Sequence, residues 1–255
     1  MNGSLPKEYL SPSQINMYLR CPAQYYFRYE EGIKMPPRSA LTKGTCVHKG
    51  IEHNYRQKIE SKKDVKVNEV KEVVSSEFDE RKDETDWRDG EDPGKIKDRT
   101  VGLAEMYHVN MAPTIQPLWV EQEVEVPIET FGLVLKGYLD LVDEDMWIRD
   151  NKTTGRTPNK STVDKSLQLS AYYFAYRAIT GESPKGVKLD YMVDIKTPKL
   201  VTFEGKRTQR EIDRFINTAG SVAAAIKNNV YYPNEGNFMC SPEHCGYWDI
   251  CHKHF

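Results

Sequence analysis

The chain has 255 residues, of which 38% are hydrophobic and 29% charged, with a formal net charge of −2. That length suits one large domain or a domain with an inserted subdomain, and the composition gives a core under a well-solvated surface. No apolar run approaches the roughly 18 residues of a membrane span, and residues 1–7 lack the apolar segment of a secretory signal, so a cytoplasmic or nucleoid-associated protein is expected. The balance of charge does not advertise a nucleic-acid coat; any DNA contact must come from a local groove or from cations bridging to phosphate.

Ser11-Pro12-Ser13-Gln14 predicts a helix start, with Ser11 as cap, Pro12 in the first turn and Gln14 completing a capping box. This helix should run to about Arg20 and stop at Cys21-Pro22. An aromatic stretch, Tyr25-Tyr26-Phe27-Arg28-Tyr29, follows. A second helix over 44–58 sets His48 and Glu52 at i, i+4 on one face. The strongly charged region 62–99 predicts a solvated helix over 66–83 and a loop over 86–94, before another helix over 97–111. Residues 60–116 read as a helical insertion, either lying over a site or serving as a solvated connector.

Strand patterns then begin. In 118–128, Val120, Val124 and Val126 share one parity, and Glu121, Glu123 and Glu125 the other. Strands over 133–142 and 146–151 are joined by the turn Asp143-Glu144-Asp145. A helix over 163–180 should end at Gly181, followed by strands over 187–195 and 200–203. Thr208-Gln209-Arg210-Glu211 is a second capping box, opening a helix to about Asn228. Residues 231–255 read as irregular. The expected fold is α/β, a mixed central sheet flanked by helices, with 117–228 as its core and 1–43 joining 229–255 in a cysteine-bearing part.

The chemistry concentrates at Gly137-Tyr138-Leu139-Asp140 and Ile148-Arg149-Asp150-Asn151-Lys152. Two carboxylates near the ends of neighbouring hairpin strands can converge on one divalent cation. Lys152, two residues beyond Asp150, points to the same face of its strand. Phosphodiester hydrolysis needs this set: carboxylates to hold Mg²⁺ or Mn²⁺, and a lysine to position water or offset developing charge. Gln168 and Tyr172 share a face of the following helix. By itself each feature also fits ordinary surface charge or core packing.

In order along the chain, Gly44 to His48, Gly137 to Asp140, Asp150 to Lys152 and Gln168 to Tyr172 resemble the four motifs of the RecB-like branch of the PD-(D/E)XK nucleases. That branch includes the CRISPR-associated RecB-like exonucleases and the AddB nuclease domain, and the resemblance spans about Leu10 to Cys251. It implies a restriction-endonuclease-like core and a DNA exonuclease acting on single strands or ends. CRISPR adaptation, recombination and repair, or phage DNA processing are the implied settings, with CRISPR integration proteins or a helicase as partners. It implies His48, Asp140 and Asp150 as metal ligands with the Asn151 carbonyl, Lys152 as the residue assisting water, Gln168 as an orienting group, and Tyr172 as a support or DNA contact. Glu52 matches no motif securely; a helix salt bridge accounts for it equally well. The alternative is a non-catalytic DNA-binding or assembly subunit keeping the same fold.

Cys240-x4-Cys245-x5-Cys251, with Cys21 far upstream, offers four thiolates, and without a secretion signal metal binding is favoured over disulfides. Spacing alone leaves zinc and an iron–sulfur cluster open. The resemblance implies a [4Fe–4S] cluster, because the Cys21-Pro22 pair and three clustered cysteines near the end match that branch; the Cys240–Cys245 gap is wider than in many relatives. Cys46 is the remaining thiol, read as a small helix residue. Arg156, Lys160 and Lys165 follow the catalytic strand as candidate phosphate contacts, with a solvated loop as the alternative.

Overall fold

The computed structural model describes Leu5 and residues 8–255; residues 1–4, 6 and 7, most of the segment read above for a secretory signal, lie outside the described residues. β1 (Tyr9–Leu10) leads into α1 (Pro12–Arg20), whose capping box is formed as predicted. The Ser11 hydroxyl accepts from Gln14 N at 3.2 Å, and Gln14 Oε1 accepts from Ser11 N at 2.6 Å. Pro22 both ends this helix and opens the next: α2 (Pro22–Tyr25) passes into a π-helical turn over Tyr26–Glu30, since a ring that cannot continue a helix is well suited to begin one.

α3 (Ser39–Ser61), α4 (Val67–Arg81) and α5 (Pro93–Asn110) pack together. α5 starts earlier than expected because Asp92 caps it, accepting from Lys95 N at 3.1 Å, with Pro93 in the first turn. β2 (Pro117–Ile128), β3 (Leu133–Asp143) and β4 (Trp147–Thr154) follow as an antiparallel meander.

The single helix expected over 163–180 is two, α6 (Ser161–Lys165) and α7 (Leu167–Thr180). Ser166 between them is extended, and its hydroxyl accepts from Leu169 N at 3.2 Å, so a capping serine interrupts the periodic pattern. Gly181 closes α7 at φ +74°, as predicted. β5 (Gly186–Val193), β6 (Lys199–Gly205) and α8 (Gln209–Lys227) complete the core. The tail is not irregular throughout: α9 (Trp248–His254) carries Cys251.

The six strands form one mixed sheet. β2 lines one edge of β3. The other edge is shared, with β1 parallel to it at Val134 and Leu135, and β4 antiparallel at Leu141 and Val142. β4 then pairs with β5 in parallel, and β5 with β6 antiparallel. β3 and β4 therefore separate immediately after Leu141↔Arg149, leaving Asp140 and Asp150 at the fork.

α1, α7 and α8 cover one face through Ile15, Leu169, Ile212 and Phe215. α3, α4 and α5 cover part of the other through Val47, Tyr55, Val74, Phe78 and Leu103. The two strands of the first hairpin do not keep one alternation. Val124 and Leu139 belong to the core under α1, α7 and α8, but Val120 and Leu141, of the same parities, belong to the core under α3, α4 and α5. A regular strand has period two, so both strands reverse their faces between these positions. The reversal falls at Glu121, whose φ is +45°, and at Asp140 across from it.

Candidate active site

The two motif glycines permit close approach of neighbouring elements. A Cβ at Gly137 would lie 3.3 Å from Pro12 Cδ and 3.7 Å from the Tyr172 ring, so glycine lets α1 and α7 settle onto β3. A Cβ at Gly44 would lie 3.3 Å from the Thr153 hydroxyl, so glycine there brings the His48 helix against β4.

The second half of the predicted set forms one network. Lys152 Nζ donates to Asp150 Oδ1 at 2.9 Å and to Gln168 Oε1 at 3.3 Å. Gln168 Nε2 lies 3.3 Å from the same Asp150 oxygen and donates to the Tyr172 hydroxyl at 2.9 Å. Lys152 and Gln168 are held by strand and helix respectively, which fixes the ammonium without a loop.

The first half gathers around Asp140. His48 Nδ1 is 3.6 Å from Asp140 Oδ2, and Asn151 N donates to the same oxygen at 3.3 Å. His48 Nε2 is 2.5 Å from the Asn151 carbonyl, so the two expected ligands are in contact with each other. Burial holds the imidazole below its ordinary pKa, which keeps it neutral and able to act as a ligand. Burial likewise pushes the Asp140 and Asp150 carboxyls above the usual range, with Lys152 opposing it.

Sequence reasoning missed Glu121. Among the described residues, one ligand atom each from His48, Glu121 and Asp140 lie within 4.8 Å of one another; the expected trio of His48, Asp140 and Asp150 does not form such a group. Burial, then the neighbouring Glu52, pushes the Glu121 carboxyl up to about 7. Alternation groups it with Glu123 and Glu125 and does not single it out. The expected strand ends, Ile128 and Leu133, contain the signal that finds it, because that register sets 121 opposite 140.

Glu52 bonds to Lys49 at 3.2 Å and Arg56 at 2.6 Å, as a helix salt bridge would. It also lines an open cleft of about 720 Å³ with His48, Glu121, Asp140 and Lys152. A second cleft of about 400 Å³, lined by Tyr9, Gln14, Tyr138, Gln168 and Tyr172, meets the first at Asp140. Arg156, Lys160 and Lys165 are exposed between β4 and α7.

A profile of the PD-(D/E)XK nuclease superfamily matches residues 9–252. The chain belongs to that superfamily. No curated protein matches it significantly. Among solved structures, a protein of Eubacterium rectale named "Putative exonuclease" aligns at TM-score 0.62 and 13% identity, over 97% of this chain and 88% of that one. A structure named SSO0001 aligns at TM-score 0.46 and 12% identity, over 96% and 86%. The first of these likenesses shows the fold; the superfamily supplies the nuclease assignment.

Nucleases of this superfamily use divalent metals, and the donors here fit one. Asp150 and Asn151 are almost fully buried, yet Asp150 Oδ2 and Asn151 Oδ1 have no hydrogen-bond partner. A buried carboxylate oxygen without a donor is costly unless a cation or proton meets it.

Away from this site, Cys21, Cys240, Cys245 and Cys251 line one enclosed cavity beside Phe27 and Tyr247. Gln24 Nε2 donates to Cys245 Sγ at 3.3 Å and Asn234 N to Cys21 Sγ at 3.5 Å. Phe27 and Tyr247 stack at 5.7 Å and pack this region. Cys46 is fully buried against α4 and α5. No described helix is long and apolar enough to cross a membrane.

Proposed function

We propose that the protein is a divalent-metal-dependent DNA exonuclease that hydrolyses phosphodiester bonds on single strands or strand ends. The observation that carries this is the Asp150–Lys152–Gln168 network beside Asp140 and His48, at the fork between β3 and β4. His48, Asp140, Asp150 and the Asn151 carbonyl would hold the ion. When bound, Mg²⁺ or Mn²⁺ supplies Lewis acidity and makes water a competent nucleophile near neutral pH.

The chain's own residues do the rest. Lys152 carries a fixed positive charge at the position where the phosphate gains negative charge, and Gln168 prevents its long stem from swinging away. Tyr172 anchors Gln168. The two clefts meeting at Asp140 give a strand a path past the carboxylates. Arg156, Lys160 and Lys165 would take phosphates downstream, an electrostatic contact that weakens with salt. The motif resemblance to CRISPR-associated and AddB nucleases supports a role in processing DNA ends.

We also assign the four cysteines to a [4Fe–4S] cluster. The four thiols line one cavity, and the resemblance of Cys21-Pro22 and the three late cysteines to the RecB-like branch supports the larger cluster over a single zinc. Iron and sulfide analysis of anaerobically purified protein tests it; one zinc and no iron would overturn it.

The test of the nuclease is cleavage of end-labelled single- and double-stranded DNA with Mn²⁺, beside Asp150→Ala. Product from wild type alone supports the reading, and the label gives polarity. If both proteins are folded and equally inert while still binding DNA, a non-catalytic subunit replaces it.

A further inference from the structure

We propose that Glu121 is a further ligand of the divalent cation, contributed by β2 on the His48 side of Asp140. The inference rests on the metal-dependent reading above and adds a donor that lies outside the four motifs. Its ligand oxygen, with atoms of His48 and Asp140, falls inside one 4.8 Å group, and two carboxylates with one imidazole are donors suited to Mn²⁺.

Three further observations point the same way. First, the β2–β3 register runs Val120↔Leu141 and Gln122↔Leu139, so Glu121 stands directly across from Asp140. Like charges directly opposite destabilise a sheet, and a cation between them removes the cost. Second, the outward neighbours Glu123 and Glu125 are both bonded to Lys136, whereas Glu121 makes no hydrogen bond or salt bridge among the described residues. Third, Asp150, only 1% exposed, keeps Oδ2 unpartnered, a further buried carboxylate oxygen at the fork that a cation would satisfy. The helix α3 reaches over this end of β2, so Glu121 lines a cleft with His48 and Glu52.

The test separates this inference from the nuclease reading by measuring binding. Mn²⁺ affinity by calorimetry and electron paramagnetic resonance, and melting in EDTA and in Mn²⁺, are compared for wild type, Glu121→Gln, Glu121→Asn and the outer control Glu123→Gln. Asparagine accepts positive φ well, so at least one variant keeps the backbone. The expected result is a tenfold or greater loss of Mn²⁺ affinity in both Glu121 variants, with Glu123→Gln unchanged. Glu121→Gln should also melt higher than wild type in EDTA and gain less from Mn²⁺. Wild-type affinity in both Glu121 variants overturns the proposal and leaves the motif ligands standing. Failure of wild type itself to bind Mn²⁺ removes the metal site altogether.

Discussion

Replacing Lys152 by methionine keeps the stem and deletes the charge. The ammonium sits 2.9 Å from Asp150 Oδ1, and the lysine side chain is 38% exposed while that of Asp150 is 1% exposed. Coulomb attraction at that distance, with an effective dielectric near 20, is about 6 kcal/mol before desolvation is subtracted. Breaking a fully buried pair costs about 3–5 kcal/mol; solvent at the lysine end reduces this to about 1–2 kcal/mol of stability. For a chain this long that lowers Tm by about 2–8 °C. The effect on cleavage should be larger, because a preorganised charge at developing negative charge is worth about 10²–10³ in kcat. Single-turnover cleavage of labelled DNA at saturating Mn²⁺, well below the variant's Tm, measures it. A rate within about threefold of wild type would refute the role given to Lys152. So would an activity loss that only tracks loss of folded protein.

Three other outcomes follow from the packing. Arg149 is buried between Asp143 at 2.7 Å and Asp190 at 2.8 Å, so Arg149→Met strands two buried carboxylates and should cost about 3–5 kcal/mol in denaturant unfolding. Adding Asp190→Asn should recover part of the loss, and a single-variant cost below about 1 kcal/mol contradicts the account. Although burial works to raise the Asp194 carboxyl, hydrogen bonds from Arg99 and Lys43 hold it below its ordinary pKa. A depressed carboxylate stabilises the fold above its unfolded pKa near 4, and that contribution is lost as pH falls through the folded value. Asp194→Asn should therefore cost about 1–2 kcal/mol at pH 7 and progressively less as pH falls below about 4; a deficit that does not shrink contradicts it. Burial, then Glu77, pushes the Cys46 thiol up to about 11; its alkylation in native protein, followed by mass spectrometry, should be roughly a hundredfold slower than in unfolded chain.

The features that the sequence made legible are those with local causes. The capping boxes at Ser11 and Thr208 begin α1 and α8 as expected, and Gly181 ends α7. Strand period puts Lys152 on one face with Asp150, and helix period puts Gln168 on one face with Tyr172; that Gln168 meets Lys152 is what the motif resemblance implies. The features that were not legible depend on tertiary pairing. β1 is two residues long and is defined only by its parallel pairing with β3. Ser166 has the composition of an ordinary helix-surface residue, and only its extended backbone reveals the break. Glu121 follows the alternation of a surface strand, and only the tertiary packing of α3 over that end of β2 makes its side chain part of a cleft.

The paired reversals at Glu121 and Asp140 also act as an alignment key for the hairpin. Two uniform strands can slide by one or two residues and still exchange backbone bonds, with weak penalties where both faces are partly polar. Here each strand reverses its faces at one position, and only one alignment sets the two reversals opposite each other. A shifted hairpin would mismatch its apolar residues on one side of the reversal or the other, exposing either Val120 and Leu141 or Val124 and Leu139. The two carboxylates are brought face to face by the same event that fixes the strand alignment, so a folded but misaligned hairpin with a working site is not available to this chain.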